Sequence, residues 1–176
     1  TGVTQSDEMP IAMVGDVLHA GLQGYGVVRK DLSTGDILDP LPEARRGTAG
    51  VPGNDIRSLL ADPSTGSLYV GTNQGAVRYD TTSGTFTSFS GGSAWNGPRN
   101  YFDLISDGTS VWAGTNAGAC RYTVQSTSIQ LDECFNAGDG LPSTAARTLH
   151  LEGTDLYIGT WGGVAVFDVL TETTTT

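Results

Sequence analysis

Basic residues are scarce: nine lysines and arginines stand against nineteen aspartates and glutamates, a formal net charge of −10 over 176 residues. Such a surface repels phosphate backbones, so nucleic acid is not an expected partner. Charged residues of both signs make up only 16% of the chain, a composition that does not suit long helices. No run of about 18 apolar residues occurs, so no membrane-inserted helix is expected. There are only two histidines and two cysteines. The chain has no nucleophile elbow, phosphate loop, paired-cysteine zinc motif or His-x-x-x-His. The spaced aspartates of Asp31-Leu32-Ser33-Thr34-Gly35-Asp36 lack the EF-hand pattern and read as turn residues. These absences argue against an enzyme, and neither a cofactor nor a metal is expected.

What is abundant is glycine, at 25 residues, together with serine and threonine, which suits many short strands joined by tight turns. The segment Ser67-Leu68-Tyr69-Val70-Gly71-Thr72 returns as Ser110-Val111-Trp112-Ala113-Gly114-Thr115 and as Asp155-Leu156-Tyr157-Ile158-Gly159-Thr160. A degenerate copy, Val17-Leu18-His19-Ala20-Gly21, stands near the start. A second glycine follows each of the first, at Gly26, Gly75, Gly118 and Gly163, and each opens an apolar strand. A repeat of about 45 residues that reads as four strands favours a β-propeller over a sandwich or a barrel. The expected fold is therefore all-β, a propeller of four four-stranded antiparallel blades in one domain. The blades fall near residues 10–41, 55–89, 100–134 and 145–176, with 1–9 as an N-terminal extension able to act as an exchanged strand.

The repeat resembles the blade of the two-component-regulator propeller family. The resemblance rests on Leu59-Leu60-Ala61-Asp62, Leu68-Tyr69-Val70-Gly71-Thr72 and Gly75-Ala76-Val77-Arg78-Tyr79, and on Trp112, Gly114, Thr115, Gly118, Arg121 and Tyr122 in the third copy. It covers about residues 11–170 and implies the fold; it says little of function, because propellers host unrelated activities. Family members usually close a ring of about seven blades, whereas this sequence encodes four. Four blades close alone, or form half of a ring completed by a second copy.

The blade reading sets Cys120 in the third strand of the third blade and Cys134 in its fourth. A turn centred on Thr127 pairs residues whose numbers sum to 254, which places the two cysteines directly opposite and within reach of a disulfide. A disulfide implies an oxidising compartment. A first residue Thr1 in place of Met fits removal of a leader peptide. The expected location is extracellular or at the cell surface.

Alternating strand directions sort the loops onto two faces. One gathers Asn73, Asn116 and Trp161 with Arg45, Arg46, Trp95, Asn96 and Arg99; the other gathers Asp16, Asp31, Asp62, Asp80, Asp107 and Asp168. The first set is the candidate binding face, since Trp and Arg are favoured anchors, although each tryptophan could simply cover its own loop. The aspartates are explained by solvated turns. His19 takes a core position, and His150 is a candidate for the central channel. The threonine-rich end reads either as a strand or as a flexible, glycosylated linker.

Two functions follow. The first is a self-assembling structural subunit of a surface or filament, whose partners are other copies of itself, held by face contacts and strand addition. The alternative is a sensor or lectin-like propeller that takes a glycan or peptide ligand on the Trp95–Trp161 face.

Overall fold

Apolar-rich stretches of four to seven residues, bounded by Gly and Asp turns, fold as strands, with shorter outer strands in the first and fourth units. The computed structural model describes residues 9–44, 49–90 and 98–175. Arg45, Arg46, Trp95, Asn96 and all but the last residue of the expected N-terminal exchanged strand lie outside these residues. The fold is all-β, of propeller type. Its first unit comprises β1 (Ile11–Val14), β2 (Val17–Leu22), β3 (Gly26–Asp31) and β4 (Ile37–Leu38). The second comprises β5 (Ile56–Asp62), β6 (Ser67–Thr72), β7 (Ala76–Asp80) and β8 (Phe86–Ser90). The third comprises β9 (Tyr101–Ser106), β10 (Ser110–Thr115), β11 (Gly118–Val124) and β12 (Ile129–Phe135). The fourth comprises β13 (Ala146–Glu152), β14 (Asp155–Thr160), β15 (Gly163–Asp168) and β16 (Thr173–Thr175). The threonine-rich end is thus a strand, paired antiparallel to β15 of its own unit.

Each unit is an antiparallel meander, and the units pack face to face with β1, β5, β9 and β13 innermost in succession. Three apolar layers fill the gaps. Val14, Val27, Leu68 and Val70 lie between the first two units, Tyr69, Leu104, Cys120 and Tyr122 between the second and third, and Trp112, Leu149, Ile158 and Phe167 between the third and fourth. The middle layer holds one buried polar pair: the Tyr101 and Tyr122 hydroxyls lie 2.8 Å apart, which satisfies groups that would otherwise be costly to bury. His19 occupies the first layer, as its position in the repeat predicts, with 1% exposure.

The repeated glycines explain the close approach. A Cβ at Gly21 would stand 2.4 Å from the Ile56 Cγ2, and one at Gly71 would stand 3.1 Å from the Tyr101 Cβ. Each glycine therefore lets the next unit's innermost strand pack on its backbone. The threonine that follows acts as a clasp. Thr72 Oγ1 donates to the Gly75 carbonyl (2.8 Å) and accepts from the Gln74 N–H (3.0 Å). Thr115 does the same with Gly118 and Ala117, and Thr160 with Gly163 and Gly162. The Gly-Thr-x-x-Gly signature is thus a packing glycine joined to a self-closing turn.

The second and third units depart from separate blades. β8 and β12 pair in parallel at Phe89–Ile129 and Ser90–Gln130, making one eight-stranded sheet. Arg78 reinforces the seam by donating to the Gln125 and Ser126 carbonyls.

The Cys120–Cys134 disulfide is formed, by a route that differs from the expected one. The β11–β12 turn is one residue tighter, pairing Thr123 with Gln130, and an extra residue at Asp132 then restores the register so that Cys120 opposes Cys134. The bond is not peripheral: Cys120 is fully buried in the middle layer.

Candidate functional site

The innermost strands surround a groove of about 690 Å³ to which all four units contribute, from Pro10 and Gln23 in the first to Trp161 in the fourth. Its chemistry is set by a repeated irregularity. In β5 the residues Ile56 and Ser58 oppose Thr72 and Gly71, leaving Arg57 as an extra, bulged residue. In β9, Tyr101 and Asp103 oppose Thr115 and Gly114, leaving Phe102. In β13, Ala146 and Thr148 oppose Thr160 and Gly159, leaving Arg147. A bulge redirects the side chain it inserts, and all three line the groove.

Together they form an alternating stack of cations and rings across three units. The Arg57 guanidinium lies 5.2 Å from the Phe102 ring centroid, Arg147 lies 3.7 Å from the same ring, and Arg147 lies 5.2 Å from Trp161. Cation–π contacts of this kind hold a guanidinium in place without neutralising it. Arg57 has a counter-ion in Asp55, at 2.9 Å. Trp161 caps the stack from the β14–β15 turn and is 79% exposed, leaving its ring largely free to take a ligand. Asp103, beside Phe102, accepts from the Leu149 N–H (2.8 Å) and the Thr148 hydroxyl (3.3 Å), tying the third unit to the fourth.

Of the residues named from sequence for the binding face, Trp161 lines this groove; Asn73, Asn116 and Arg99 are not among its lining residues. Asn116 Oδ1 accepts from the Arg99 and Asn100 N–H groups at 3.0 Å each and so closes a loop. Asn73 Oδ1 is buried with no hydrogen-bond partner. Arg45, Arg46 and Trp95 lie outside the described residues. His150 does not line the groove: it pairs across the strand with Tyr157, their rings 6.2 Å apart, on the side of the fourth unit turned away from the third. Among the described residues, no three His, Cys, Asp or Glu side chains gather as metal ligands would.

Sequence reading missed Arg57, Phe102 and Arg147, though a signal exists. Ile56 and Leu59, Tyr101 and Leu104, and Ala146 and Leu149 each face the same layer, three residues apart where a regular strand requires an even spacing. The odd spacing, repeated in three units, marks the bulge.

No family model matches the chain, and no curated protein matches it. Solved structures do. The extracellular domain of the hybrid two-component system BT4673 of B. thetaiotaomicron aligns over 94% of this chain at 26% identity, with a TM-score of 0.72. The extracellular domain of BT3049, a hybrid two-component system of the same organism, aligns over 99% at 17% identity, with a TM-score of 0.74. The chain spans only 21% and 25% of those two structures. The computationally designed Ika8 protein shares the fold at 13% identity, with a TM-score of 0.51 over 92% of this chain and 58% of Ika8. The disulfide and the extracellular neighbours agree on location: this is an extracellular domain.

Proposed function

We propose that the chain is a non-catalytic ligand-binding module of the two-component-regulator propeller type, which takes a glycan or peptide ligand in the groove capped by Trp161. The observation that carries this reading is the stack of Arg57, Phe102 and Arg147, placed by the same bulge in three successive units and capped by Trp161. A device repeated to aim side chains into one cavity is not needed for packing the layers. An exposed indole beside a polar, half-open groove is suited to the flat face of a sugar or a peptide side chain. The extracellular two-component domains of the same fold support a role in sensing. The test is a screen of neutral and acidic oligosaccharides and short peptides against the wild type and Trp161→Ala. The substitution is expected to weaken binding at least tenfold while shifting the melting temperature little, since the side chain is exposed. Undiminished binding by Trp161→Ala would contradict the groove.

Self-assembly is a second reading, favoured by one observation. Among the described residues, all nine exposed large hydrophobic residues, Ile11, Met13, Ile37 and Val164 among them, lie in or beside the first and fourth units. Ile11 and Leu18 hold the repeat positions that Leu59 and Leu68 fill in the buried layer. Such a flank suits a further blade, as supplied by another copy. Sedimentation velocity should then show assemblies that Ile11→Glu disperses; a monomer at high concentration would argue against this reading.

A further inference from the structure

The stack leaves one cation without a counter-ion. Asp55 neutralises Arg57, and Arg121 pairs with Asp132 and Glu172 elsewhere. Arg147 makes neither an ion pair nor a side-chain hydrogen bond among the described residues, and it is solvent-exposed. Its guanidinium carbon lies 3.7 Å from the Phe102 ring centroid and 5.2 Å from that of Trp161. The N–H bonds of a guanidinium lie in its own plane, so rings that cover its faces leave those donors unused and already oriented.

We infer that Arg147 receives a carboxylate of the ligand, its N–H edge bonding both carboxylate oxygens while Trp161 covers the adjoining face; this rests on the groove reading above. The charge of the site favours a single negative charge over a doubly charged phosphate. Arg57 is already paired with Asp55, so among the described lining residues Arg147 is the one cation without an ion pair, and a single carboxylate matches it. A second negative charge would find no further unpaired cation among the described lining residues, in a protein already at −10. Planar, two-toothed pairing is also the geometry at which arginine outperforms lysine.

Two matched pairs of probes test this by ligand-observed NMR titration: D-glucuronate against D-glucose, and N-acetylglycine against N-acetylglycinamide. The acid should bind about tenfold more tightly than its neutral partner in at least one pair. The pair that shows it tells a sugar acid from a peptide carboxylate. Within Arg147→Gln the acid and its neutral partner should bind equally, and Arg147→Lys should restore only part of the preference. Inorganic phosphate should compete poorly. Equal binding of acid and neutral probes would overturn the carboxylate assignment and leave the groove reading standing. So would a preference that survives in Arg147→Gln, or phosphate that competes as well as the acid. Failure of all four probes to bind would count against both.

Discussion

Asp31, Asp62, Asp80, Asp107 and Asp168 each fix a turn by accepting from the N–H or hydroxyl groups that follow, and each carboxyl is held below its ordinary value near 3.8. The Ser33 hydroxyl dominates at Asp31, the Ser83 N–H at Asp80 and the Thr171 N–H at Asp168. At Asp62 and Asp107 burial pushes the other way and is outweighed by hydrogen bonds, including one from the buried Trp112 indole at 2.8 Å to Asp107. The folded state therefore binds these protons less readily than the unfolded chain. Their contribution is complete above the ordinary carboxylate value and is lost as pH falls through the lowered folded values. Thermal melting followed from pH 6 to pH 2.5 should show stability falling below about pH 4, less steeply in Asp107→Asn. His19 adds a loss at higher pH. Burial lowers its pKa from the ordinary 6.5, so its contribution is present above that value and declines as pH drops below it. Asp31, Asp62 and Asp80 were legible as turn residues because Gly follows each of them four residues later. Glu172 was not: it adopts φ +56° where the equivalent turns have Gly35 and Gly84, and it bonds Arg121 at 2.6 Å, a long-range contact that no local pattern carries.

Between elements, glycine decides how closely the units approach. A Cβ at Gly114 would stand 3.2 Å from the Ala146 carbonyl of the next unit, in a layer closed by Trp112, Phe135 and Phe167. Gly114→Ala should destabilise the fold by about 1–3 kcal/mol, seen as a lower urea midpoint with an unchanged slope. The meanders and their order could be read from sequence because the Gly-Thr-x-x-Gly clasp recurs in phase. The Cys120–Cys134 pairing was also readable, but two offsetting irregularities, a tighter turn and an extra residue at Asp132, produced it. The bulges escaped notice because period-two counting tolerates one misfit. Only the recurrence of the same misfit in three units reveals them. The parallel β8–β12 seam left no local signal at all, since it joins Phe89 and Ser90 to residues 40 positions on, with Arg78 reaching carbonyls 47 and 48 residues away.

Across the whole molecule, the two loop faces differ in kind. One carries aspartate turns whose side chains are occupied in holding backbone. The other opens on the groove, where Arg147 and Trp161 have, among the described residues, no polar partner beyond the stack itself. The sequence separated these faces by strand direction but put the weight on loop residues. The structure instead gathers its cavity from strand bulges, with Trp161 the one nominated residue that lines it among those described. The direct test is amide chemical-shift mapping of the uniformly labelled protein during titration with D-glucuronate. The account predicts shifts concentrated at residues 55–59, 102–103, 147–148 and 160–161. Shifts centred on the aspartate turns, around residues 31–35, 80–84 and 168–172, would contradict it.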